Sequence, residues 1–115
     1  FNLKLIIMGI TYKENIEDFR ESASINIINS FKSKVGIFYG YDPYLKNKPE
    51  TINNKSFVFL NSQISLKNLC ENNYKDYLFL IFVKHTKFIK ILKNNKKINY
   101  YDFCGLFNYE YIINN

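Results

Sequence analysis

Between Gly9 and Ser22 the chain reads GITYKENIEDFRES, and six of these residues are charged. Lys13 and Arg20, the chain's only arginine, are the groups best suited to hold an anion. Arginine offers a planar fork that matches phosphate or carboxylate, and lysine a mobile point charge. Ser22 suits a helix N-cap, and a helix N-terminus adds partial positive charge beside Arg20. The stretch is not a dinucleotide fingerprint. GxGxxG needs several glycines so that backbone can approach a pyrophosphate, and here only Gly9 is present. Nor does it contain the GxxxxGKS/T of a P-loop. The chemistry left to it is a grip on an anionic ligand by side chains. The alternative is a solvated loop in which Arg20 pairs with Asp18 or Glu17.

Other reactive groups are sparse. His85, the single histidine, lies in VKHTKF. It reads either as a ligand group or as a residue that caps the following helix or bonds to backbone. Cys70 and Cys104 are far apart and form no CxxC, which fits neither a zinc site nor a disulfide framework. Both read as buried structural thiols.

These residues must be positioned by the elements around them. LKLIIMG (Leu3–Gly9) is an apolar run suited to a strand buried on both faces. After the charged stretch, Ala23, Ile27, Ile28 and Phe31 fall on one face of an amphipathic helix. VGIFYGYDP (Val35–Pro43) and FVFL (Phe57–Leu60) read as strands, with a polar loop between them. SLKNLCENN reads as a short helix with Leu66, Leu69 and Cys70 inward. YLFLIFV (Tyr77–Val83), the most apolar run, is predicted as the central strand. TKFIKILKNN is a second amphipathic helix, with Phe88, Ile91 and Leu92 on its apolar side. INYYDF (Ile98–Phe103) is a fifth strand, followed by CGLF and a short tail. Strands alternating with helices imply parallel pairing. The predicted fold is a three-layer α/β/α Rossmann-like domain with a mainly parallel five-stranded sheet. Ligands of such sheets lie beyond the carboxyl ends of the strands, at the topological switch point. The charged stretch is therefore predicted to converge there with YDPY (Tyr41–Tyr44), VKHTKF (Val83–Phe88) and DFCGLF (Asp102–Phe107).

With 115 residues, 47% of them hydrophobic, the chain is long enough for one domain with a modest core. No apolar run approaches the roughly 20 residues that span a bilayer, and no secretory signal is visible. A cytoplasmic location is the expectation. The chain opens on Phe1 with a strand-like run already at Leu3, which predicts an excised piece of a longer protein. The net charge of +6 raises nucleic-acid binding as a reading. The lysines are, however, spread among asparagines, as in ILKNNKKINYYD. With Ile, Tyr and Phe over-used and Ala and Arg scarce, that pattern reads as the bias of an AT-rich genome. KNNKK is a solvated loop on this reading, and neither nucleic acid nor membrane is an expected partner.

In register, Gly9, Tyr12, Lys13, Asp18, Arg20 and Ser22 match a G-aromatic/small-x-aromatic-K-x-x-x-x-D-x-R-x-S pattern. The chain thereby resembles the C-terminal, UDP-binding domain of the UDP-glucose/GDP-mannose dehydrogenase family. The resemblance continues through YDPY and VKHTKF to YYDFCGLF, in order and over nearly the whole chain. It implies that residues 1–115 are this domain alone, with the NAD-binding and central domains absent. It implies a parent enzyme that oxidises the C6 hydroxyl of a nucleotide-sugar to a carboxylate, using two NAD+ and a cysteine nucleophile. That nucleophile lies in the absent central region, so this chain is expected to hold no catalytic residue and no metal, and to be inactive alone. The implied substrate is a UDP-sugar, of the UDP-glucose or UDP-N-acetylhexosamine type, oxidised to uronic acids for polysaccharide biosynthesis. A homodimer is implied for the full-length protein. Tyr12 and Lys13 would contact the substrate, and Arg20 would reach NAD held by the missing domain. His85, where the family has His or Trp, is reminiscent of members acting on UDP-N-acetylhexosamines. One position departs: Cys104 stands where the family usually has Arg or Lys. Another lysine substitutes for it, or substrate choice differs, or the copy is degraded. The last option keeps open a non-catalytic Rossmann-like nucleotide-binding or interaction module.

Overall fold

The structure, a computed structural model, describes residues 3–20, 22–31, 36–71, 73–93 and 98–106. Val35, most of KNNKK and the tail from Phe107, all assigned above from sequence, lie outside those residues. The elements run β1 (Lys4–Met8), α1 (Ala23–Ser30), β2 (Phe38–Tyr41), β3 (Phe57–Leu60) and α2 (Gln63–Cys70). A 3-10 turn (Tyr74–Asp76), β4 (Tyr77–Ile81), α3 (Thr86–Lys93) and β5 (Asn99–Asp102) follow. Every strand pairing is parallel, in the order β3-β2-β1-β4-β5. This is the Rossmann-like arrangement the alternation predicted.

Side chains alternate across the sheet, so each strand feeds two cores. Ile6, Met8, Phe79 and Ile81 face the layer of α2 and α3, where Leu66, Phe88 and Leu92 meet them. Ile7, Phe38 and Leu80 face the opposite layer, where α1 contributes Ile25 and Ile28. No helix links β2 to β3. Leu45 and Ile52 of the intervening loop instead tuck into the core on the α1 side. Asn54 ties that loop down by donating to the Ile28 and Phe31 carbonyls at the end of α1, both at 2.9 Å. The Ile28 carbonyl also accepts the Phe31 N–H, at 3.3 Å.

Two expectations are corrected. The inward face of α1 is Ser24, Ile25 and Ile28, whereas Ala23 is exposed and Ile27 half-buried. Ile25 carries far more apolar area than Ala23, so the helix turns to bury it, a gain of about 1.5–3 kcal/mol for a fully buried Ile. The strand at the centre of the sheet is β1, not β4, which lies between β1 and β5. β4 is still the most apolar run because it too is interior. Among the described residues no helix is long and apolar enough to cross a membrane.

Candidate functional site

The strand order reverses between β1 and β4: from β1 the sheet continues to β2 on one side and to β4 on the other. The crevice expected for a ligand therefore opens beyond Met8 and Ile81. Backbone there is packed tightly. Gly9 N–H donates to the Tyr41 carbonyl and Phe82 N–H to the Met8 carbonyl, both at 2.9 Å. Gly9 has φ +105°, and a Cβ at this position would lie 2.6 Å from Val83 Cβ and 2.7 Å from its nitrogen. Glycine is required here by conformation and by space together.

From Gly9 the chain makes its long connection to α1, fixed by a buried polar cluster. Asp42, at the end of β2, is wholly buried. Its Oδ2 accepts the N–H groups of Ile10 at 2.8 Å and Thr11 at 2.9 Å, and its Oδ1 accepts Tyr44 N–H at 2.8 Å. His85, four residues beyond β4, is also wholly buried, with Nε2 2.8 Å from Asp42 Oδ2 and 2.8 Å from Thr11 Oγ1. Asn15 N–H donates to His85 Nδ1 at 2.8 Å. Since Nδ1 accepts, the ring proton sits on Nε2 and points at the Asp42 carboxylate. Burial alone would raise the Asp42 carboxyl's pKa. The N–H bonds from His85, Ile10 and Thr11 outweigh that and hold it below its ordinary value.

Asn15 takes a left-handed conformation, φ 62°, which asparagine tolerates better than most residues. From there its Oδ1 accepts Thr86 N–H at 3.1 Å and the Thr86 hydroxyl at 3.3 Å, so a loop residue caps the start of α3. At the far end, the buried Ser22 hydroxyl donates to the Ile10 carbonyl and accepts Ile25 N–H at 3.3 Å. It is the N-cap expected from sequence, and it also closes the loop on its own beginning. Tyr12 N–H donates to the Asp18 carbonyl across the loop.

The sequence-nominated side chains lie on the outside of this frame. Tyr12 is 53% exposed, and Lys13 is exposed. The ammonium of Lys13 has no ion-pair partner among the described residues. Arg20 donates from Nε and Nη2 to the two oxygens of Asp18, at 3.1 and 2.9 Å, and from its backbone N–H at 2.9 Å. This bidentate pair holds the Asp18 carboxyl down to about 2 and raises the guanidinium. The pairing of Arg20 with Asp18 considered from sequence is thus formed; Nη1 has no partner among the described residues. A small open cleft of about 190 Å³ lies between loop and α3, lined by Glu14, Asn15, Lys84 and Thr86. The Tyr44 ring lies 4.8 Å from that of His85 and 4.4 Å below the Lys87 ammonium.

YDPY and VKHTKF thus meet the charged stretch as expected, through Asp42 and His85. The His85 ring bonds to backbone, one of its two sequence readings, and is too buried to touch a ligand itself. DFCGL forms its own turn, with Asp102 Oδ1 accepting Cys104 N–H at 3.3 Å and Leu106 N–H at 3.0 Å. The Cys104 thiol is half-buried and pushed up to about 11 by burial and by the Asp102 carboxylate, and the buried Cys70 thiol is pushed up to about 11 by burial. Neither is an activated nucleophile. Among the described residues no three metal-capable side chains cluster. Sequence reasoning missed Thr11, Asn15 and Asp42 as individuals. The usable signals were the Asp-Pro that ends a strand and an asparagine inside a long loop.

A parallel sheet whose switch point is covered by a pinned, side-chain-bearing loop defines a Rossmann-like domain without a glycine-rich phosphate cradle. Residues 6–107 match the UDP-glucose/GDP-mannose dehydrogenase family, UDP binding domain, and the chain belongs to that family. It is 32% identical over 63 residues to a UDP-glucose 6-dehydrogenase of Rickettsia bellii (strain RML369-C). That match covers 54% of this chain and 14% of the relative. No solved structure matches the chain.

Proposed function

We propose that residues 1–115 are the UDP-sugar-binding, C-terminal domain of an NAD-dependent nucleotide-sugar 6-dehydrogenase. On this reading Tyr12 and Lys13 contact the nucleotide-sugar and Arg20 contacts NAD. The observation that carries it is the loop itself: Asp42 and His85 fix its backbone at the β1/β4 crevice, while Tyr12 and Lys13 stay exposed. A pinned backbone with a free ammonium suits diphosphate oxygens, because little order remains to be imposed on binding. Lys84 and Lys87, both exposed, add positive charge along the same rim.

The residues present fit NAD only as a partial contact. Gly9 stands alone and packs against Val83, so no backbone cradle for a pyrophosphate exists in this loop. Arg20, 83% exposed in its side chain and with no partner on Nη1 among the described residues, would reach a cofactor held elsewhere in the polypeptide. NAD would supply the hydride acceptor for oxidation of the sugar C6 hydroxyl to a carboxylate. This chain's residues would bind and orient the UDP-sugar, and the cysteine nucleophile would come from the central region. The sugar would be of the UDP-glucose or UDP-N-acetylhexosamine type, the product a uronic acid for polysaccharide biosynthesis, and the whole protein a cytoplasmic homodimer.

The test is titration of the chain with UDP, followed by amide chemical shifts. Shifts are expected at Thr11–Asn15 and Lys84–Thr86, and Lys13→Ala should weaken binding about tenfold, as loss of one charge-assisted contact does. Absence of any shift at millimolar UDP would refute the assignment. The longer polypeptide should reduce NAD+ with a UDP-sugar. A second reading, a non-catalytic nucleotide-binding module, is favoured only by the neutral Cys104. It predicts UDP shifts without NAD+ reduction in the full-length protein.

A further inference from the structure

We propose that His85 is a positioning residue for Lys13, acting through the residues two before and two after it. Thr11 and Asn15 flank Lys13 symmetrically, and both reach the same imidazole, at Nε2 and Nδ1 respectively, each at 2.8 Å. The Thr11 hydroxyl also donates to the Lys13 carbonyl at 3.2 Å. Its oxygen therefore shares the Nε2 proton with Asp42 Oδ2, in a three-centre bond, while its own proton holds the Lys13 backbone. Lys13 is thus bracketed on both sides and tied at its carbonyl, and only its side chain is free. The bracket rests on Asp42, which accepts the Nε2 proton and the Thr11 N–H. It is locked to α3 by Asn15 Oδ1 on Thr86, the residue after His85.

No other side chain than histidine supplies this pair of contacts so readily. A neutral imidazole donates at one nitrogen and accepts at the other, along fixed in-plane directions. Glutamine can donate to Asp42 and accept from Asn15, though from a flexible stem. Leucine can do neither. His85 is wholly buried, so its influence on a ligand must pass through the bracket.

The inference rests on Lys13 contacting the UDP-sugar, and its test separates the two ideas. Nitrogen NMR of the 115-residue chain without ligand should show His85 as the Nε2–H tautomer with Nδ1 accepting a hydrogen bond. A proton on Nδ1 would overturn the bracket whether or not UDP binds. In His85→Leu the Asn15 amide should exchange with solvent at least tenfold faster; unchanged exchange would overturn it too. For UDP binding, His85→Gln should stay within about threefold of wild type, while His85→Leu should lose about as much as Lys13→Ala, roughly tenfold. The double variant His85→Leu/Lys13→Ala should be no weaker than Lys13→Ala alone. Multiplied losses would mean that His85 acts independently of Lys13 and would refute the positioning role. If His85→Leu does not fold, Thr11→Val carries the same test. It removes only the hydroxyl, and its loss should likewise vanish in the Lys13→Ala background. Failure of the wild type to bind UDP would refute the proposed function, while the tautomer and exchange results would still decide the bracket.

Discussion

Asp42→Ala removes a carboxylate that accepts four N–H groups, from Ile10, Thr11, Tyr44 and His85. The Tyr44 bond is only partly buried, so that N–H can turn to water, but the other three are buried. A buried donor left without a partner costs about 1–3 kcal/mol. Water entering the space left by the carboxylate would satisfy part of this. The expected loss is then about 3–5 kcal/mol, for three buried donors at about 1–3 kcal/mol each with water satisfying part. A domain of this size has roughly 5–15 kcal/mol in total, so the variant should lie near its unfolding threshold. Urea denaturation followed by circular dichroism and tyrosine fluorescence measures this directly, since the chain has ten tyrosines and no tryptophan. A loss below about 1 kcal/mol would refute the buried Asp42–His85 cluster, a clasp on the loop, as its anchor. The pH dependence gives a second check. The folded Asp42 carboxyl lies below its ordinary value of 3.8, so its stabilisation is fully present above about pH 4. It is lost as pH falls through the folded value. Asp42→Asn should therefore be less stable than wild type at neutral pH, yet lose less on acidification below pH 4. Asp18 titrates in the same window but is common to both proteins, so the difference between the two acid limbs reports Asp42.

Gly9→Ala should cost at least about 2 kcal/mol in thermal or urea unfolding, because a left-handed backbone and contact with the Val83 backbone cannot both be relieved. A neutral result would contradict the packing of β1 against the β4 exit. Arg20→Ala should leave the urea midpoint essentially unchanged, since its pair with Asp18 is exposed to solvent and screened. If Arg20 serves NAD, the same variant in the full-length enzyme should chiefly raise KM for NAD+, and an unchanged KM would remove it from the site. Cys70 and Cys104 should both alkylate slowly with iodoacetamide at pH 7.5, measured by mass spectrometry, because both thiols are raised to about 11. Labelling of Cys104 at the rate of a free thiol would show that the Asp102 turn is open in solution.

The periodic elements were legible because their residues carry the pattern locally. FVFL became β3 with the same bounds, and Phe88, Ile91 and Leu92 became the buried side of α3. The rotation of α1 was not legible, because Ala23 and Ile25 compete for one face and only the sheet beneath decides between them. The clasp was half legible. Strand-end segments could be placed at one end of a parallel sheet, but which of their polar groups would meet depended on the order of β2, β1 and β4. Asp42 and His85 lie 43 positions apart and approach only because β1 stands between their strands. Asn15's left-handed turn depends on the same contact: its N–H must point at His85 while its side chain reaches Thr86.

The length of the Gly9–Ser22 connection follows from that geometry. A direct link from a strand to its crossover helix takes about 2–6 residues. This one first crosses to the end of β4, takes its hold on His85 and Thr86 at Asn15, and only then returns to Ser22. Ser22 closes the path on Ile10, and Tyr12 and Asp18 are joined across its base. Polar residues on the inside of such a loop are consumed by the anchoring: Thr11, the backbone of Asn15, and Ser22. Residues at its turn are left facing out, and these are Tyr12, Lys13 and Glu14. Asp18 and Arg20 occupy the return limb, where their exposed pair makes an ordered turn. The charge density of the stretch therefore divides by position: Asp18 orders the return limb, while the Lys13 ammonium, and Nη1 of Arg20, have no partner among the described residues. A shorter loop could not reach the β4 exit, and would leave Lys13 without a fixed backbone over the crevice.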